Sequence, residues 1–326
     1  MSGHRRLGGK VHLDYASVGG TGTALVWQIV VTGKPPAEAC RAWPEAGTPP
    51  ASNLVAMLTL MAVHAHPDDE ASTTGGVLAK YSAEGIRTVL VTCTNGELGD
   101  TPDVSAGEAG HGDDHDTAAV VALRTKELED SCRILGITHL EMLGYHDSGM
   151  EGWPQNDAPG SFWSTPIDEA AKPLIALIEK YQPDVVLTYD DYGFYGHPDH
   201  IQAHRITMAA LAASGSQARL YFPTFRRSGL QAFGELMEKA GVQPPPLDEA
   251  EFGSPDEDIA AVIDCKEHAQ QKMDALKAHV SQAGNIFFLH FPMDVFTEVF
   301  GEEAFVRERP AWTGGEVGSR RRPTSR

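Results

Sequence analysis

From Leu54 onward, short β-branched and apolar runs alternate with helical stretches closed by glycine. That alternation is the pattern of successive βα units, and it predicts an α/β fold built on a parallel sheet. The runs place strands over residues 58–63, 88–93, 139–143 and 185–188, with a fifth near 219–222. Between them the spacing predicts helices over 73–84, 117–135, 167–181 and 199–213. Gly85 and Gly136 stand where the first two would stop, and Asp116 where the second would be capped. In the third, Leu174, Ile175 and Ile178 share a face before Pro183, and Pro173 suits a first helical turn.

Beyond Pro223 the pattern changes to a helix over 230–240, an acidic proline-rich loop over 243–258, a helix over 266–282 and an aromatic segment over 287–291. This reads as an added subregion of one domain over 54–312. Residues 1–53 hold no sustained period and read as a disordered extension. Met57 and Met61 stand at the start of the first strand, so a start codon assigned too far upstream would account for that extension. The tail 313–326, arginine-rich and without apolar period, reads as a flexible, solvated end.

Composition narrows the partners. The 326 residues carry 26 Lys and Arg against 45 Asp and Glu, a net charge of −19. Such a charge repels phosphate backbones and anionic headgroups, so no nucleic acid or membrane surface is expected, and a small neutral or cationic ligand fits better. Hydrophobic residues make up 41% and charged residues 22%, ordinary for a globular chain with a sizeable core. Cys40, Cys93, Cys132 and Cys265 form no C-x-x-C pair, which points away from a thiolate zinc site and toward reduced thiols in a cytoplasm. The longest apolar runs fall well short of the roughly 20 residues that a membrane-spanning helix needs. Arg5, Arg6 and Lys10 precede an apolar stretch, but Gln28 and Gly33-Lys34-Pro35-Pro36 break the pattern of an export signal. The oligomeric state stays open, a homo-oligomer included.

In an open α/β sheet the ligand site lies beyond the carboxyl ends of the strands. Four polar clusters fall there: residues 64–70, 92–100, 144–149 and 189–200. The first holds His66, Asp68 and Asp69 around a proline turn, and the last holds His197, Asp199 and His200. His and Asp in both, on one rim, point to a metal site. His66 and Asp69 can hold an ion from two sides and His200 can close the set, with a position left open for water as in catalytic zinc sites. Alternatively, Asp68, Asp69 and Glu70 simply charge the first turn of the next helix. Both histidines of the last cluster cannot bind an ion in the same way, so one is read as a ligand and the other as a group that stabilises developing charge.

Ala65-His66-Pro67-Asp68-Asp69-Glu70, with Tyr195-Gly196-His197-Pro198-Asp199-His200 far downstream, resembles the paired signature of the LmbE/PIG-L deacetylase family. The resemblance spans residues 58–213, is looser over 275–282 and 287–305, and leaves out 1–53. It implies a Rossmann-like three-layer sandwich with a mostly parallel sheet and a small C-terminal helical and aromatic subregion. It also implies zinc-dependent hydrolysis of an N-acetyl group or amide on a glucosamine-containing substrate. Carried over by position, it implies that His66, Asp69 and His200 bind Zn2+ and that Asp68 is the general base toward the activated water. Tyr195 and His197 would face the oxyanion, His197 also standing as a candidate acid for the departing amine and Asp199 tuning His197.

Arg124 and Asp147 match the family's sugar contacts, although Arg124 also reads as a solvated helix residue paired with Glu127, and Asp147 as the centre of an Asx-turn. Glu97 and Asp100 read as turn-stabilising groups or as rim groups. The loop 149–166 carries Trp153, Phe162 and Trp163, which cover the core or stack on a sugar. The mycothiol branch of the family divides between deacetylases of a glucosaminyl inositol and amidases of mycothiol S-conjugates, and no residue here separates the two.

Other classes fit less well. A dinucleotide-dependent oxidoreductase lacks its G-x-G-x-x-G turn, because His66-Pro67-Asp68-Asp69 occupies the place after the first strand. A non-catalytic sugar-binding module would lose the base or the ligands, which are all present. Two histidines and a carboxylate also hold Fe2+, so ligand types alone do not fix the metal.

Overall fold

The run Thr59–His64 forms strand β1, with all of its residues buried. Leu60 and Ala62 pack into one apolar cluster while Met61 and Val63 pack into another. A strand whose two faces are both covered lies between two layers of helices, and its near-continuous apolar character follows from that. The computed structural model of the chain describes residues 58–99, 117–239, 253–284 and 286–308. The predicted extension 1–53, the tail 313–326, Asp100 and the capping role of Asp116 lie outside the described residues.

The chain runs β1, α1 (Asp69–Ala83), β2 (Arg87–Thr94), α2 (Thr117–Leu135), β3 (His139–Tyr145), α3 (Lys172–Tyr181), β4 (Val185–Leu187), α4 (Pro198–Ser214) and β5 (Arg219–Thr224). Then follow α5 (Leu230–Lys239), β6 (Ile259–Asp264), α6 (Ala269–Ala278), α7 (Met293–Phe300) and β7 (Glu302–Arg307). The seven strands form one sheet in the order β3-β2-β1-β4-β5-β7-β6. The first five run parallel, and β7 pairs antiparallel with both β5 and β6. The fold is α/β with a mostly parallel sheet. From β1 the chain proceeds to β2 and β3 on one side and then returns to β4 on the other, so the order reverses between β1 and β4. The carboxyl ends of these two strands flank the crevice where such sheets bind their ligands.

Three elements differ from the sequence expectation. Helix α1 begins at Asp69 rather than near residue 73, because Asp69 and Glu70 occupy its first turn, where carboxylates complement the positive end of the helix. The third helix is interrupted at Ala171, after a single turn over Ile167–Ala170, and restarts with Pro173 in its first turn, where the missing N–H is no loss. The C-terminal subregion carries two strands as well as helices. β6 is an edge strand with alternating half-buried and exposed residues, and β7 opens on two glutamates, so neither shows an apolar run. Among the described residues no helix is long and apolar enough to cross a membrane, and Cys93, Cys132 and Cys265 are buried free thiols.

Candidate metal centre

The loops after β1 and β4 meet above the crevice. From the first come His66, Asp68 and Asp69. From the second, whose last turn opens α4, come His197, Asp199 and His200. Gly193 makes this second loop fit: its φ is +68°, and a Cβ there would lie 2.8 Å from the backbone nitrogen of Ile201. Its carbonyl oxygen lies 3.2 Å from His200 Nδ1. A carbonyl only accepts, so Nδ1 carries the proton and Nε2 presents its lone pair. That Nε2 is buried and has no hydrogen-bond partner among the described residues. Asp69 Oδ1 lies 3.5 Å from it.

Asp69 also reaches the other imidazole. Its Oδ2 accepts the His66 backbone N–H at 2.8 Å and lies 3.4 Å from His66 Nδ1. On the far side of the ring, His66 Nε2 is 3.2 Å from Asp199 Oδ2, a carboxylate acceptor. A histidine that donates outward to a carboxylate and turns its other nitrogen inward is oriented as metal-ligating histidines are. His66, Asp69 and His200 therefore offer a donor set that suits zinc: two imidazole lone pairs and a carboxylate, one of the nitrogens being an orphaned buried atom. Two other groupings bring one candidate ligand atom per residue within 4.8 Å of one another: His66 with His197 and His200, and His66 with Asp147 and Asp199.

His197 differs from His200. Its Nδ1 accepts the Asp199 backbone N–H at 3.1 Å, so in the neutral ring Nε2 carries the proton and donates. The carboxylate of Asp199 was expected to tune His197, but it lies against His66 and accepts the Ser148 N–H at 2.9 Å. The contact between Asp199 and His197 runs through the backbone. Burial, reinforced by His66 and His200, holds the His197 imidazole well below its usual range. Burial likewise pulls His200 down to about 4. For His66, burial works downward but Asp147, Asp199 and Asp69 outweigh it and raise the ring well above its usual range. Burial pushes Asp199 up to about 6. Asp69 is held well below the carboxylate range, because His200 and His66 together outweigh its burial.

Asp68 sits beside this set with φ +116°, a left-handed conformation that side chains other than glycine's rarely adopt. Burial pushes its carboxyl up to about 6 against the opposing pull of Arg124. Arg124 is buried, not solvated. Its terminal nitrogens donate to the carbonyls of Gly96 and Pro67, and Nη2 lies 3.5 Å from Asp68 Oδ2. The guanidinium has room because residues 96 and 99 lack a Cβ, which would stand 2.6 and 2.2 Å from it.

Asp147 Oδ1 accepts the Gly149 N–H at 2.8 Å, which forms the local turn, and lies 3.7 Å from His66 Nε2. Glu97 fastens two loops together, meeting His146 Nδ1 at 2.6 Å and accepting the Asp147 N–H at 3.2 Å. Phe162 is fully buried and belongs to the core, and Trp163 lies under Arg205, 4.7 Å away. Tyr195 is 46% exposed, beside His200.

One residue that contacts the candidate site has no signal of its own in the sequence. Tyr189 opens the last cluster as an apparently ordinary aromatic at a strand end. Buried, it donates its O–H to Asp69 Oδ2 at 2.7 Å and accepts the Ala65 N–H at 3.0 Å. Its ring stacks on His200 at 4.0 Å and 14°. Tyr189→Phe is expected to loosen Asp69 and lower metal affinity about 10- to 100-fold. It should also cost about 1–3 kcal/mol of stability, because the Ala65 N–H is left buried without a partner. Metal titration and denaturant unfolding of the variant measure the two effects, and an unchanged affinity would reduce Tyr189 to packing.

A cluster of histidines and carboxylates at the switch point of a mostly parallel sheet defines an α/β enzyme with a metal-type centre. The chain belongs to the PIG-L family, described as GlcNAc-PI de-N-acetylase, whose sequence model matches residues 61–211. That membership makes it a hydrolase of an amide C–N bond. It is similar to the 1D-myo-inositol 2-acetamido-2-deoxy-alpha-D-glucopyranoside deacetylase of Acidothermus cellulolyticus, 39% identical over 277 residues that span 79% of this chain and 92% of that protein. Among solved structures, an antimicrobial pseudoaglycone deacetylase shares the fold with a TM-score of 0.50 at 19% identity, covering 78% of this chain and 98% of that one. The 4-carboxy-2-hydroxymuconate hydratase of Pseudomonas putida matches with the same TM-score, 0.50, at 16% identity, over 80% of this chain and 100% of its own. Neighbours named as a deacetylase and as a hydratase share this fold, so the fold by itself does not fix the reaction.

Proposed function

We propose that the protein is a zinc-dependent N-deacetylase of a glucosamine-containing, inositol-linked substrate, releasing acetate and a free amine. The observation that carries this reading is the inward, unpartnered Nε2 of His200 facing Asp69, with Asp68 alongside. The substrate class comes from the relatives that span most of the chain. Held by His66, Asp69 and His200, a zinc ion would supply Lewis acidity toward the acetamide carbonyl and an adjacent water.

The chain's own residues do the rest. Asp68 accepts the proton of the attacking water as its oxygen bonds to the carbonyl carbon. His197 directs its Nε2–H at the oxyanion, and Tyr195 offers its hydroxyl on the same side. As the C–N bond breaks, the protonated Asp68 returns its proton to the departing nitrogen. Asp199 holds His66 from behind. Asp147 and Arg124 are the proposed contacts to the sugar. The buried free thiols fit a reducing cytoplasm.

The test is acetate release from N-acetylglucosaminyl inositol by anaerobically purified protein, before and after chelation and after zinc or ferrous iron is restored. About one metal per chain and chelator-sensitive acetate release are expected for a single three-ligand site. Folded protein without metal affinity would overturn the site. Metal-loaded protein that releases no acetate but cleaves a mycothiol S-conjugate would overturn the substrate.

A further inference from the structure

We propose that Glu70 and His279 are positioning residues for Asp68, so that the C-terminal part of the chain completes the site from behind. This rests on reading Asp68 as the base. Its left-handed backbone is a strained conformation for a residue other than glycine, and it persists only where the surroundings fix it. The fixing group on the N–H side is Glu70, whose Oε2 accepts the Asp68 N–H at 3.0 Å. On the carbonyl side, the backbone N–H groups of Ala71 and Ser72 both donate to Asp68 O at 3.1 Å. The backbone of Asp68 is thus clamped from both ends, and its carboxylate is aimed by that clamp.

Glu70 itself is held by groups distant in sequence. Its Oε1 accepts from the Ser131 hydroxyl in α2 and lies 2.8 Å from His279 Nε2, 209 residues on. Glu70 and His279 are both fully buried. A buried ionic or hydrogen-bonded pair adds little net stability over an apolar pair of the same volume, but it does fix direction. Here the direction is that of Oε2 toward Asp68. Residues 279–282 are also tied down independently, because the Ser281 backbone N–H and hydroxyl donate to the two oxygens of Glu127 in α2 at 2.7 and 2.6 Å. The segment is a strut from α2 to the helix start that carries the base. The Glu70 side chain bonds to the Asp68 N–H, Ser131 and His279 and to none of His66, Asp69 and His200, so its effect on the reaction passes through Asp68.

The experiment is a double-mutant cycle with metal content and unfolding measured on every variant. His279→Leu removes the donor to Glu70. His279→Gln places an amide nitrogen near the position of Nε2, and Ser131→Ala removes the other donor if His279→Leu does not fold. His279→Leu should lower kcat about 10- to 100-fold, the scale on which small misplacement acts, with KM and metal content nearly unchanged. His279→Gln should recover turnover to within a few fold. In an Asp68→Asn background, His279→Leu should bring no further loss, since the group it serves is already gone. A full additional loss in that background, or equal loss in His279→Leu and His279→Gln, would overturn the proposal by showing a general structural effect. Asp68→Asn with normal turnover would instead overturn the reading of Asp68 as base.

Discussion

Replacing Asp68 with asparagine is expected to lower kcat by about 10²- to 10⁴-fold, the range removed with a general base, while the protein keeps its metal. Asparagine matches aspartate in shape and still offers an acceptor oxygen, so the loop around it has no reason to move. What it cannot do is take a proton. The left-handed backbone also favours asparagine among the other residues, so the substitution adds little strain. The Arg124 guanidinium keeps the Gly96 and Pro67 carbonyls as acceptors. His66, Asp69 and His200 are left intact, and so a metal stoichiometry equal to that of the parent is part of the expected result. Steady-state kinetics and element-resolved mass spectrometry on the same preparation decide it. Full activity in the variant would overturn the mechanism, and loss of metal would move Asp68 into the ligand set.

His200→Ala is expected to empty the site. It deletes an inward imidazole nitrogen that has no hydrogen-bond partner among the described residues, together with the ring stacked on Tyr189. Loss of a direct ligand should exceed the 10- to 100-fold that removing an outer partner of a ligand brings, so affinity should fall by more than about 100-fold. The fold should survive, because α4 keeps Ile206, Ala210 and Leu211 in the core. The control is His146→Ala, whose side chain is 65% exposed and should leave affinity within error of the parent. Equilibrium dialysis with zinc reads both variants. Parent-like binding by His200→Ala would transfer the site to the other grouping, His66 with Asp147 and Asp199.

What the sequence discloses depends on how local the physics is. Helix α2 falls on the expected residues because Leu128 and Leu135 mark its buried face and Gly136 stops it. β1, β2 and β4 carry buried apolar residues on both faces and stand out as runs. β7 does not, since Glu303 at its start is buried by pairing with Lys272, an interaction no window around residue 303 contains. The same contrast holds in the site. The two histidine–aspartate clusters announce themselves, and the structure brings His66, Asp69 and His200 together. Standing two residues from His197, Asp199 reads from sequence as its partner, yet residues two apart at a helix start point in different directions. Its carboxylate reaches His66, 133 positions away. His279 falls only in the stretch 275–282 of looser resemblance, with no motif around it, and its partner lies in the first turn of α1.

The reversal of strand order carries a consequence for synthesis of the chain. β1 gains its first neighbour, β2, within about thirty residues, but its other edge waits for β4, 125 positions on in the pairing of Leu60 with Val185. At about 5–20 residues per second on the ribosome, that edge stays open for roughly 6–25 seconds. An apolar strand with unsatisfied amide and carbonyl groups along one side is a template for pairing with another chain. The same placement that opens a binding crevice beside β1 therefore makes Thr59–His64 the segment most in need of shielding while the protein is being made.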